Sequence, residues 1–186
     1  MTTFKEDATV VADEIRETLQ RIDDAQVQSA LDAIEAAKRI FVIGVGREGL
    51  ASRALAMRLM HCGFDVHVGW DDTTPAVEAS DLLIMVNGSG CIGHLDYVFG
   101  KVSGIGAKTL VVTGVPDAPT PSKATCVLAV PATVYLGAGD LVKSIQPMGS
   151  LFEQCLLVTF DLLILQIIKR RGLTMTELSA RHRNFE

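Results

Sequence analysis

The chain predicts an α/β fold, a three-layer α-β-α sandwich built on a five-stranded parallel sheet. Two observations carry the prediction. First, two glycine-rich turns each follow a short apolar run: Val42-Ile43-Gly44-Val45-Gly46-Arg47-Glu48-Gly49 and Leu83-Ile84-Met85-Val86-Asn87-Gly88-Ser89-Gly90. Each reads as a buried strand, a tight turn and the start of a helix. Such a turn gathers bare backbone N–H groups and the positive end of a helix dipole, a natural seat for an anion. Second, strand-like runs alternate with helical runs along the chain, the pattern of a parallel sheet. Two turns at strand C-terminal ends place a ligand crevice along that edge.

The elements follow in order. Val10, Ile15, Leu19 and Ile22 recur at helical spacing, as do Val27, Leu31 and Ile34, giving one or two N-terminal helices. The first strand is Ile40 to Ile43. A helix over Arg47 to Cys62 carries Leu50, Ala54, Met57 and Met60 on one side, and Gly63 closes it. Further strands are expected at Asp65 to Gly69, Leu82 to Val86, Thr109 to Thr113 and Cys126 to Val130. A helix at about 93 to 105 joins the third and fourth. Pro116, Pro119 and Pro121 mark a loop. The segment Pro131 to Gly149 has no clear period, and so long a loop is usually functional or mobile. A long helix runs from Ser150 to about Arg171, Gly172 ends it, and a short last helix starts near Thr174.

Composition narrows the class. The 186 residues suit one domain with a sizeable core, 48% hydrophobic and 21% charged. A net charge of −5 argues against nucleic acid as the main partner. Cys62, Cys91, Cys126 and Cys155 have neither CxxC spacing nor a His cluster, so they read as small packing residues in a reducing cytoplasm. The N-terminus lacks the basic and apolar regions of a signal peptide. The apolar run Cys155 to Ile168 is interrupted by Asp161 and Gln166 and is short for a membrane span, which needs roughly 20 residues. It reads as a helix buried on most faces, with another subunit helping to cover it.

Gly44-x-Gly46-x-x-Gly49 matches the dinucleotide fingerprint, but the acidic Asp71 and Asp72 come late for a ribose ligand. A sugar phosphate explains the second turn better, with no nicotinamide or flavin cofactor. Arg47 projects from the first turn toward a substrate oxygen or phosphate. Thr73 and Thr74 follow the second strand, where their hydroxyls reach the same edge or form a plain loop with Pro75. Glu153 has two readings. As a carboxylate in a partly dry site it suits proton abstraction next to a carbonyl. As N3 of Ser150-Leu151-Phe152-Glu153 it completes a capping box with Ser150. His61 either acts on sugar oxygens or places charge at a helix C-terminus. His67 alternates with Val66 and Val68 in a strand, so it packs or points outward, and His94 has no visible partner. Asp161 calls for a cationic partner across an interface.

These residues resemble the sugar isomerase (SIS) domain proteins, and within them the 6-phospho-3-hexuloisomerases. The matching stretches are Gly44-Val45-Gly46-Arg47-x-Gly49, Ala56-Met57-Arg58-Leu59-Met60-His61-x-Gly63, Thr73-Thr74-Pro75, Gly88-Ser89-Gly90, Pro147-Met148-Gly149-Ser150-Leu151-Phe152-Glu153-Gln154 and Arg181-His182-x-Asn184. They span residues 44 to 184 in the expected order. The resemblance implies a flavodoxin-like five-stranded sheet, terminal helices packed in a homotetramer, and no metal. It implies interconversion of hex-3-ulose 6-phosphate and fructose 6-phosphate through an enediol, as in the ribulose monophosphate pathway. It makes Glu153 the base, with His61 and His182 as further catalytic groups, the His182 tail reaching a neighbouring subunit's site. Gly46, Arg47, Asn87, Gly88, Ser89, Gly90, Thr73 and Thr74 become substrate- and phosphate-binding residues.

Two positions depart from that family's pattern. Glu48 stands where a serine is usual, and Ile92 replaces a threonine; Asn87 replaces a serine but keeps a donor. A carboxylate 4 Å from a phosphate repels it by roughly 1 to 4 kcal/mol. A lost hydroxyl bond to a charged group costs about 1.5 to 3 kcal/mol more. Glu48 pointing outward would favour the helix N-terminus instead. Pointing inward, it favours an unphosphorylated or cationic sugar. A non-catalytic module sensing a sugar derivative is the second class of function left open.

Overall fold

The computed structural model describes residues 2–185 and bears out the α/β expectation. Helices α1 (Phe4–Gln20) and α2 (Asp24–Ala36) precede β1 (Ile40–Ile43) and α3 (Gly46–His61). Then come β2 (Val66–Val68), β3 (Leu82–Val86), α4 (Gly93–Ile105), β4 (Lys108–Thr113), β5 (Cys126–Ala129), α5 (Ser150–Arg171) and α6 (Met175–Ala180). All strand pairs are parallel, in the order β2-β1-β3-β4-β5. The chain leaves β1 toward one edge and β3 toward the other, so a crevice opens between their carboxyl ends. The two glycine turns flank that crevice.

Alternation along the strands splits the core. Ile40, Val42, Leu82, Ile84, Val86, Leu110 and Val112 face α2, α3 and α5. Phe41, Ile43, Leu83, Met85 and Val111 face the other way, onto Leu95, Phe99 and Val102 of α4. At the amino end of the sheet, Arg39 grips the buried Asp81 through two bonds of 3.1 and 2.7 Å, and the Glu78 N–H adds a third at 2.7 Å. Burial alone would raise the Asp81 pKa. The Arg39 bond and the Glu78 N–H outweigh it, and the carboxyl lies below its ordinary value.

Three local readings gain detail. The buried stripe of α3 is Ala51, Leu55, Ala56 and Leu59, whereas Leu50, Met57 and Met60 are exposed. Within one chain about half of the most apolar stretch of α5 is buried, and Leu157, Val158, Leu162 and Leu165 remain exposed, the face for which the sequence calls on another subunit. Its 22 residues are long and apolar enough to cross a membrane, yet its buried half, with Leu151, Phe152, Cys155 and Phe160, forms part of the main core. The loop 131–149 supplies part of a cavity wall through Tyr135, Leu136, Pro147, Met148 and Gly149 and is tied within itself. An isolated bridge joins Ala132 to Val142, and Ala132, Val134 and Val142 are buried.

Candidate active site

The crevice between β1 and β3 opens into a cavity of about 600 Å³ lined by Gly46, Arg47, Glu48, Ser89, Tyr135 and Glu153, among others. The backbone builds it. Gly46 begins α3 at φ +55°, a conformation that lets the chain turn sharply from strand into helix. The second turn is tied to the end of β4: the Gly88 carbonyl accepts from Gly114 N–H at 3.0 Å and from Thr113 Oγ1 at 3.1 Å. Gly88 has to be glycine, because a Cβ there would collide with Glu48 Oε1 and with the Phe152 ring 2.9 Å away.

Glu153 lies in the first turn of α5, but it does not cap that helix. The N-cap is Gly149, and no side chain caps the end. The capping box with Ser150 is therefore not formed. Arg47 Nε reaches across from α3 to Glu153 Oε2 at 2.6 Å and draws the carboxylate toward the cavity. The Glu153 side chain is 20% exposed and that of Arg47 59%. A carboxylate held by a guanidinium in a half-dry crevice has the geometry of a fixed base beside a cation.

Glu48 points inward. Its Oε2 accepts from the Gly88 N–H at 3.2 Å, so a protein carboxylate sits on the second glycine turn. Burial pushes the Glu48 carboxyl up to about 7. The Gly88 bond opposes that rise and the Glu153 charge adds to it.

The other expected residues divide. Asn87 is fully buried. Its amide donates to Asp96 at 3.4 Å and accepts from the Ile92 N–H at 3.4 Å, so it braces the turn and does not line the cavity. Gly88 and Gly90 shape the turn from behind. His61, His182, Thr73 and Thr74 line a separate cavity of about 460 Å³ beside β2. There the His61 and His182 rings stack at 5.3 Å, and the Thr74 hydroxyl donates to the Val68 carbonyl at 2.6 Å. Burial, with Arg58, His182 and Arg183 adding to it, lowers the pKa of His61. Within one chain, then, Glu153 and the two histidines occupy different cavities. His67 stacks on Phe41 at 5.2 Å and His94 lies 6.4 Å from Trp70. Cys91, expected as a packing residue, is exposed in the Glu153 cavity, and Asp161 is exposed on α5.

The residue reading missed several groups. Glu14 of α1 is buried and accepts from Ser144 Oγ at 2.6 Å and the Ile145 N–H at 2.8 Å. Gln146 and Gln154 exchange two amide bonds at 3.1 and 2.7 Å. Together they fix the chain that enters α5 ahead of Glu153. Trp70 donates to the Gly44 carbonyl at 3.3 Å. Glu14 and Trp70 are not marked by local spacing, because their partners are remote in sequence.

An open parallel sheet with two glycine turns at its switch point defines an α/β protein that binds a small ligand at the strand ends. The chain belongs to the SIS domain family, which residues 33–158 match. It is 37% identical to the 3-hexulose-6-phosphate isomerase of Mycobacterium gastri over 96% of this chain and 89% of that one. It is 31% identical to the 3-hexulose-6-phosphate isomerase of Bacillus subtilis over 95% of both chains. A Methanococcus jannaschii crystal structure, from which a molecular function of 3-hexulose-6-phosphate isomerase has been inferred, is 31% identical. It superposes with a TM-score of 0.84 over 97% of this chain and 99% of that one.

Proposed function

We propose that this chain is a phosphosugar isomerase that interconverts hex-3-ulose 6-phosphate and fructose 6-phosphate. One observation carries the reading: Glu153, freed from any capping role, is held by Arg47 in the wall of the crevice. Glu153 removes the proton from C2 of the 3-ketose. The C2–H electrons form the C2=C3 double bond, and the carbonyl electrons move onto O3, where the exposed Arg47 guanidinium meets the developing charge. A proton passes from O2 to O3, the partly exposed Glu153 exchanges its proton with water and delivers one to C3, and the carbonyl reforms at C2. The reaction needs no net oxidant.

Ser89 and the Gly88 N–H of the second turn bind the phosphate in this reading, with Gly90 holding the turn through its N–H bond to the Asn87 carbonyl at 3.0 Å and Gly46 leaving room for the sugar. His61, His182, Thr73 and Thr74 act from a neighbouring subunit. Their separation from Glu153 within one chain supports a composite site. The exposed apolar side chains of α3 and α5 supply the contact for a homo-oligomer, a tetramer in its full form. His61 is best placed as a neutral imidazole that polarises a sugar oxygen. Four free thiols suit a reducing cytoplasm.

The test is a coupled assay. Hex-3-ulose 6-phosphate is generated by a separate synthase, and fructose 6-phosphate is read out through NADPH. Glu153→Gln is expected to lower kcat by about 10²- to 10⁴-fold with the fold intact. Glu48 on the glycine turn favours a second reading, a sensor of a less anionic sugar; a folded oligomer without turnover selects it.

A further inference from the structure

We propose that Glu48 is a built-in anion that occupies the phosphate seat, so that a sugar phosphate binds only when Glu48 is neutral or displaced. The inference rests on the reading above that the second glycine turn receives the phosphate. Three geometric facts carry it. The Glu48 carboxylate already accepts the Gly88 N–H, one of the donors an anion at this turn would use. It is wedged there: Gly88 has no side chain, and the Phe152 ring of α5 closes the same space. And it lines the Glu153 cavity together with Ser89 and Cys91.

The charged groups around this point do not neutralise it. From α3, Arg47 is paired through Nε with Glu153. From α5, Glu153 adds a second negative charge. From α4, Asp96 lies behind the turn, bonded by Asn87 and by the Thr120 hydroxyl. A phosphate dianion entering here meets two carboxylates, Glu48 and Glu153, and one arginine among the described lining residues. A neutral Glu48 changes the balance, because its O–H donates to a phosphate oxygen where the carboxylate repels it. With the Glu48 carboxyl pushed up to about 7, its charge changes within the physiological range. The residue thereby tunes phosphate affinity to pH and sets the preference between phosphorylated and plain sugars.

The test is calorimetric titration of the full-length protein with fructose 6-phosphate at about pH 6 and pH 8, wild type beside Glu48→Gln. Titration of the phosphate itself affects both proteins equally and cancels in their Kd ratio. Between these pH values the neutral fraction of a group at about 7 falls roughly tenfold. The wild-type to variant Kd ratio is therefore expected to rise about tenfold, and fructose without phosphate is expected to show no such rise. Glu48→Ser, which removes the charge and restores a small donor, is expected to behave like Glu48→Gln and covers a failure of the glutamine variant to fold. A ratio that stays flat with pH overturns the inference, as does a wild type and folded variants that all fail to bind fructose 6-phosphate. The outcome is separable from the isomerase reading: a rising ratio in a protein without turnover upholds the Glu48 assignment and rejects the catalytic one.

Discussion

The two ends of the sheet handle buried carboxylates in opposite ways. At the amino end, Asp81 is 1% exposed and meets Arg39 through a two-bond fork, so burial is more than compensated and its pKa falls. At the carboxyl end, Glu48 has one long N–H bond at 3.2 Å and a second carboxylate for a neighbour, so its pKa climbs to about 7. Among the described lining residues the cation is Arg47, and it pairs with Glu153. The amino end is built to stay closed, and the carboxyl end keeps electrostatic need unmet where a ligand arrives.

Breaking the satisfied end should give the largest effect on stability. Asp81→Ala leaves the Arg39 guanidinium without its fork, and a loss of about 3 to 5 kcal/mol is expected in urea unfolding. Turnover per folded molecule should be unchanged, since Asp81 lies at the far end of the sheet.

The unsatisfied end should show itself through pH. Glu48 has a folded pKa above its unfolded value, so the folded state binds the extra proton. Its stabilisation is complete below about 4.5 and is lost as pH rises through about 7, up to about 3 kcal/mol in all. Asp81 has the opposite slope: its contribution is present above the ordinary aspartate pKa and is lost as pH falls through its lowered value. Glu48→Gln should therefore gain stability over wild type between pH 5 and pH 8, measured by unfolding at each pH.

The smallest effect concerns the route into α5. Glu14→Ala removes the acceptor for Ser144 and Ile145, and about 1 to 3 kcal/mol of stability should go with it. Faster proteolysis within 131–149, followed by mass spectrometry, would locate the loss.

The frame was legible in the chain because it is written in short-range patterns. β1, β3, α4 and α5 fall within the residues that periodicity and glycine turns assign. The site was only half legible. Arg47, Ser89 and Glu153 line one cavity, since turns and a helix start fix them. The capping box failed because a guanidinium 106 positions away competes for Glu153, and local spacing carries no sign of it. The inward turn of Glu48 depended on the space left by Gly88 and the Phe152 ring, which two distant segments bring together. The division of Glu153 from His61 and His182 is likewise a matter of topology: α3 begins at one cavity and ends at the other.

The central claim is that Glu153 moves a proton between adjacent carbons in this crevice. The most direct measurement is proton NMR of fructose 6-phosphate incubated with the protein in D₂O. The account predicts deuterium entering at C3 and not at C1, with the rate at C3 lowered at least about 100-fold in Glu153→Gln. Equal wash-in at C3 by wild type and Glu153→Gln, or none by the wild type, would contradict it.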